Sequence, residues 1–214
     1  MSNIYFPSCN FTAASPAAAQ RIRDYLGQKM PIAGCCRVDG LDYPEGSTAI
    51  YFCQACRETL EARGEGKFTL LNLFQYLDSD PEFPLPDHTG LTVTVQDCWR
   101  DRAHPKIFAA VRSLLRKMNI TVAEMAENRE NSRFCGNLHF EPQRQETLEC
   151  LQAYGDKPLY ELPEEVQRLL MKEQAEKLPC ELAVTYCNRC KAGILLGGGK
   201  AVHLLELVTG TFPA

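Results

Sequence analysis

The sequence predicts an α/β protein of two pseudo-repeated, cysteine-rich subdomains, each with a small, mostly parallel sheet flanked by helices. Three observations predict it. Short β-prone runs alternate with helical patterns, the signature of βαβ units. The order strand–Cys–helix, a loop cysteine, then strand–Cys-x-x-Cys–helix occurs twice, and an internal repeat outranks any single motif. Between the two occurrences lies DSDPEFPLPDHTG at 78–90, with three prolines and a closing glycine, the composition of a joint. The reading assigns 1–80 to the first repeat, 81–90 to a linker and 91–214 to the second repeat.

The elements follow in order. Residues 4–9 (IYFPSC) and 91–98 (LTVTVQDC) are β-prone runs that end in one cysteine. Helical patterns follow at 15–30 and 104–118. Ser15 before Pro16 reads as N-cap and N1, and Pro105 takes the N1 place in the second pattern. The loop cysteines come next, Cys35-Cys36 in the first repeat and Phe134-Cys135 in the second. Residues 50–60 (IYFCQACRETL) and 185–195 (TYCNRCKAGIL) each stop a strand at Cys-x-x-Cys and continue in helix-compatible residues. Each is followed by an amphipathic stretch, LLNLFQYL at 70–77 and HLLELV at 203–208, the second read as a helix that opens at His203. Only the second repeat carries an insertion of mixed helical character, at 141–179.

The totals restrict the function. The chain has 214 residues, 45% of them hydrophobic, enough to bury a core without disulfide staples. Its net charge of −4 and the lack of any Lys/Arg run argue against a nucleic-acid partner. The first residues lack the pattern of a signal peptide, and no window approaches 18 uninterrupted apolar residues. The expectation is a cytoplasmic protein with no membrane span. Eleven cysteines are the anomaly, and in a reducing compartment they point to metal or redox chemistry. Cys150 and Cys180 stand alone and fit the role of small buried hydrophobes. The other nine do not.

Cys-x-x-Cys where a strand meets a helix puts two sulfurs near one metal centre, and the helix N-terminus favours thiolate. In a parallel sheet the strand ends share one edge, so Cys9 can converge with Cys53 and Cys56, and Cys98 with Cys187 and Cys190. Adjacent residues rarely reach one mononuclear ion, so the doublet Cys35-Cys36 suits a multi-iron cluster better than one zinc.

With these residues in view, the pattern Cys9, Cys35-Cys36, Cys53-x-x-Cys56 resembles the CCG-type cysteine-rich domain found in heterodisulfide reductase and in related iron–sulfur proteins. The second repeat resembles another copy, through QDCWRDRAHPKIFAAVRSLLRKMNI, FCGN, VTYCNRCKAGIL and HLLELV. The resemblance covers nearly the whole chain except the insertion. It implies [4Fe–4S] clusters and electron transfer coupled to thiol–disulfide chemistry. The first repeat, with Cys9, Cys35, Cys36, Cys53 and Cys56, would hold a cluster of the non-cubane type. The second has Phe134 at the first doublet position and keeps Cys98, Cys135, Cys187 and Cys190, four thiolates that suit a second [4Fe–4S] cluster or a tetrahedral zinc. The first doublet is followed by Arg37 where the family has glycine.

The leading functional reading is an iron–sulfur redox protein, served by a ferredoxin-like or flavin-containing partner and acting on a thiol/disulfide substrate. Two others stay open: a zinc protein whose cysteines hold its fold or a partner surface, and a metal-free dithiol oxidoreductase using the Cys-x-x-Cys pairs. His104 and His139 follow Cys98 and Cys135 closely enough to replace the missing sulfur, although a capping or rim role is commoner. His203 reads as structural and 197–200 (GGGK) as a turn, since it lacks the P-loop spacing. Trp99 reads as packing or a shield for the centre. Arg37 and Arg57 read equally as cluster-stabilising or as solvated cations.

Overall fold

The structure, a computed structural model, describes residues 2–212. The chain divides into two units. Unit 1 comprises Met1–Pro86, Ala109–Met118 and Leu205–Ala214, and unit 2 comprises Asp87–Phe108 and Asn119–Leu204. The break after Pro86 falls within the proline-rich stretch.

Unit 1 carries a three-stranded sheet of β1 (Asn3–Phe6), β2 (Thr48–Tyr51) and β3 (Thr69–Asn72), parallel throughout and in that order. Phe6 lies opposite Tyr51, and Tyr51 opposite Asn72, so the three strands end level. Four helices leave or precede these ends: α1 (Cys9–Ala14), α2 (Pro16–Gly27), α3 (Gln54–Gly64) and α4 (Leu73–Ser79). Ser8 caps α1 by accepting from the Phe11 amide at 3.3 Å. Ser15 sits at the N-cap of α2 with Pro16 next, yet its hydroxyl donates to the Glu206 carboxylate rather than capping. The apolar cluster of this unit includes Ile4, Phe6, Ala49, Tyr51 and Leu60, with Cys36 and Cys56 among them.

Unit 2 holds a four-stranded parallel sheet in the order β5-β4-β6-β7, formed by β4 (Thr92–Gln96), β5 (Thr121–Val122), β6 (Leu182–Thr185) and β7 (Lys200–His203). Gln96 lies opposite Thr185, and Thr185 opposite His203. Helix α5 (Pro105–Lys117), which belongs to unit 1 from Ala109 onward, connects β4 to β5. The 141–179 insertion forms α6 (Gln145–Gln152) and α7 (Glu164–Ala175). Helix α8 (Asn188–Leu196) connects β6 to β7, and the last element, α9 (Leu204–Val208), belongs to unit 1 from Leu205 onward.

The repeat is visible in the topology. An isolated parallel bridge joins Ile32 to Tyr5, through Tyr5 N–H to Pro31 O at 3.0 Å and Ala33 N–H to Tyr5 O at 2.8 Å. Because β2 occupies the other side of β1, Ile32 stands where β5 stands beside β4. Unit 1 thus repeats the order of unit 2 with its outermost strand reduced to one residue.

One expected helix needs correction. The 203–208 stretch does not open as a helix at His203, which ends β7; α9 begins at Leu204. The amphipathic stretch at 70–77 likewise starts as the edge strand β3 and turns helical at Leu73. A four-residue strand joined to a helix without glycine or proline shows no break in the apolar pattern. Among the described residues, no helix is long and apolar enough to cross a membrane.

Candidate metal centre

The centre of unit 2 is assembled at the carboxyl ends of its two middle strands, where open parallel sheets place their ligands. Cys98 follows β4 by two residues, and Cys187 follows β6 by two as the N-cap of α8. Cys190 lies on the first turn of α8, and Cys135 comes from the loop after β5. Among the described residues, these four form a group whose sulfurs all lie within 4.8 Å of one another. Cys98 Sγ is 3.5 Å from Cys135 Sγ, and Cys135 Sγ is 3.9 Å from Cys187 Sγ. All four residues are buried and none is in a disulfide.

Local sequence explains why Cys135 arrives there. Gly136 has φ +57°, and a Cβ on it would stand 2.1 Å from the Arg189 carbonyl oxygen. Gly193 on α8 faces it, since a Cβ there would lie 2.7 Å from Gly136 Cα and from the Phe134 ring. Two glycines therefore let the loop press onto α8. Phe134, standing where the first repeat has a doublet cysteine, is fully buried and packs edge-on against Phe140 at 5.7 Å. Its carbonyl accepts from the Trp99 amide at 3.1 Å and from Cys190 Sγ at 3.7 Å.

Residues outside the cysteine pattern fix Cys98. Its amide donates to the Tyr186 hydroxyl at 3.0 Å, which in turn donates to Asp97 Oδ1 at 3.2 Å. Asp97 Oδ2 accepts from the Arg129 amide at 2.7 Å. Neither Asp97 nor Tyr186 is signalled by the sequence pattern, although each adjoins a ligand candidate. Trp99 stacks on His139 with ring centroids 3.7 Å apart, and His139 Nε2 lies 3.0 Å from Glu141 Oε1. Neither His104 nor His139 belongs to the sulfur group.

The four thiols are unequal. Hydrogen bonds from Cys135, Cys190 and Cys98 hold the Cys187 thiol well below its ordinary pKa. Desolvation, with the neighbouring sulfurs, pushes Cys98 and Cys190 well above theirs. Binding of a cation would therefore displace protons from Cys98 and Cys190. An all-sulfur donor set suits zinc or iron. One zinc at a Zn–S distance of about 2.3 Å needs tetrahedral edges of about 3.8 Å, close to the separations found. A cluster is larger and needs the sulfurs further apart.

Unit 1 arranges its five candidates differently. Cys9 opens α1 and is exposed, and Cys35 is half-buried. Both line one open cleft of this unit. The Arg37 amide and then Cys9 hold the Cys35 thiol below its ordinary pKa, and Cys35, with burial, raises that of Cys9. Cys53 stands at the N-cap position of α3 with its sulfur 3.5 Å from Cys56 Sγ, and Cys36 and Cys56 share the apolar cluster against which Cys53 packs. The five thus fall into an outer pair, Cys9 and Cys35, and an inner trio, Cys36, Cys53 and Cys56. They form no group of three or more comparable to that of unit 2 among the described residues.

The doublet loop is fastened from within. Asp39 accepts from the Gly34 and Leu41 amides at 2.8 and 2.9 Å. Arg63 donates to the carbonyls of Cys36 and Asp39. Arg57 is buried against Glu58 and Glu61, whereas Arg37 is exposed. Cys150 and Cys180 are half-buried and join neither sulfur group. Comparison of the chain with protein-family models, with curated proteins and with solved structures finds no match.

Proposed function

We propose that the chain is a metal–thiolate redox protein that holds an iron–sulfur centre on Cys98, Cys135, Cys187 and Cys190 and exchanges electrons with a ferredoxin-like or flavin-bearing partner. The observation that carries this is an all-cysteine donor set, four buried side chains from three separate segments with no disulfide among them; a cluster would have to spread their sulfurs from the separations found. A bound cluster supplies one-electron chemistry. The chain supplies the rest: α8 offers Cys187 and Cys190 from its first turn, and the Asp97–Tyr186 pair orients Cys98. Apolar burial keeps water from the sulfurs. Thiolate-only coordination and exclusion of water are also the means by which a protein sets a cluster's potential.

A second reading, one structural zinc, is favoured by the sulfur separations of 3.5 and 3.9 Å. Metal and acid-labile sulfide analysis of the full chain purified without oxygen separates the two. Iron and sulfide each near ~4 per chain, with visible absorption lost in Cys135→Ser, supports the cluster. Zinc near ~1 per chain without sulfide or colour overturns it.

A further inference from the structure

We propose that unit 1 binds a small organic carboxylate in the cleft at the end of β1, with Arg23 holding its charge. Two observations carry this, and neither depends on the centre in unit 2. The first is the cleft itself, an open space of about 430 Å³ whose walls include Pro7, Ala13 and Ala33, with Cys9 and Cys35 also lining it. Among the described residues, no acidic side chain lines it and Arg23 is its one basic side chain. Apolar walls with one fixed charge suit a small molecule that has an apolar body and a single anionic group.

The second observation is the state of Arg23. It is half-buried on α2, and among the described residues no carboxylate pairs with it. The charged groups beside it on the helix are engaged elsewhere: Arg21 donates to the carbonyls of Thr209 and Gly210, and Asp24 accepts from Gln20. Withdrawing a guanidinium from water without a counter-charge is unfavourable, and a carboxylate would complete it through two parallel N–H···O bonds. One guanidinium matches one negative charge, so a monocarboxylate fits better than a phosphate dianion. Another cleft of the unit, of about 470 Å³, makes the contrast. Arg63 and Lys67 line it together with Glu45 and Glu65, and both cations donate to backbone carbonyls, so no charge is left there to recruit an anion.

The test uses the full chain, reduced and purified without oxygen, with iodoacetate as the anionic probe and iodoacetamide as its neutral counterpart. Cys9 and Cys35 serve only as reporters. Both reagents alkylate the same sulfur, so the ratio of their rates is independent of its thiolate fraction. Peptide mass spectrometry is expected to give an iodoacetate-to-iodoacetamide ratio at Cys9 or Cys35 about fivefold above that at Cys180, the gain from an ion pair in a half-open site. Arg23→Gln is expected to erase that gain and butyrate to suppress it, while Arg37→Gln keeps it. Equal ratios at the three cysteines, or a gain that survives Arg23→Gln, overturn the proposal. Where a bound metal shields both sulfurs, the readout is phenylglyoxal labelling of Arg23. Butyrate should slow that labelling, and an unchanged rate overturns the site.

Discussion

A single methyl group separates a working Cys135 loop from a broken one. The cost of Gly136→Ala combines a left-handed backbone with a Cβ placed 2.1 Å from the Arg189 carbonyl, about 2 kcal/mol or more. Chemical denaturation is expected to show that loss, and metal content is expected to fall with it because Cys135 is carried on the displaced loop. Trp99 is the chain's one tryptophan, follows Cys98 directly, and stacks on His139. Titrating Co²⁺ into apo protein is therefore expected to quench its emission together with the appearance of thiolate-to-cobalt absorption. Cys135→Ser should lose both signals. Cysteine spacing makes all four members of the buried sulfur group legible, because strand ends and helix starts are written in local sequence. It does not reveal Asp97 or Tyr186, which matter through contacts 88 and 89 residues apart. Nor does it show that five cysteines in unit 1 divide into a pair and a trio.

Among the elements, the insertion is tied down by one carboxylate. Glu173 on α7 accepts from the Gln143 amide at 2.9 Å and the Arg144 amide at 3.4 Å, where α6 begins. It also accepts from the Thr147 hydroxyl and pairs with Lys177 at 2.9 Å. Desolvation raises its pKa, but the Thr147, Gln143 and Lys177 contacts outweigh it and the net shift is downward. A depressed carboxylate adds stability above its unfolded pKa and loses it as pH falls through the folded value. Glu173→Ala is expected to cost about 2 kcal/mol at neutral pH, from the donors left unpaired. Acid titration should show a shallower loss of stability in Glu173→Gln than in the parent chain. An unchanged acid limb would sink this assignment. The elements least legible in sequence are β3 and β7. Each is an edge strand of four residues that runs straight into a helix, and the apolar residues of such a stretch satisfy a helical period equally well.

For the whole molecule, the duplication stands on topology more firmly than on cysteine count. Both sheets are parallel, both end their middle strands level, and both place a Cys-x-x-Cys helix at the same strand end. Sequence pattern reaches this architecture because βαβ order follows from alternation of strand and helix alone. The functional asymmetry arises later, where Phe134 and Gly136 take the places of Cys35 and Arg37. Metal added to the apo chain is accordingly expected to raise the stability of unit 2 by about 4 kcal/mol at a thousandfold excess over Kd. Hydrogen exchange should report that gain in the amides of β4, β6 and α8 and no change in β1 to β3. Protection spread evenly over both units would contradict a centre confined to unit 2.

The burial of the tetrad also bears on time. Cys98, Cys135 and Cys190 have no solvent-exposed surface and Cys187 has 4%, so a chelator or a rival ion cannot meet the sulfurs while β4, β6 and α8 stay packed. Occupancy then follows kinetics rather than affinity: the residence time of an ion is set by how often the unit opens. Transfer of metal to a chromophoric chelator should run no faster than exchange of the Cys98 amide. An ion taken up by these sulfurs would consequently be chosen once, as the chain folds, by whatever ion is present then.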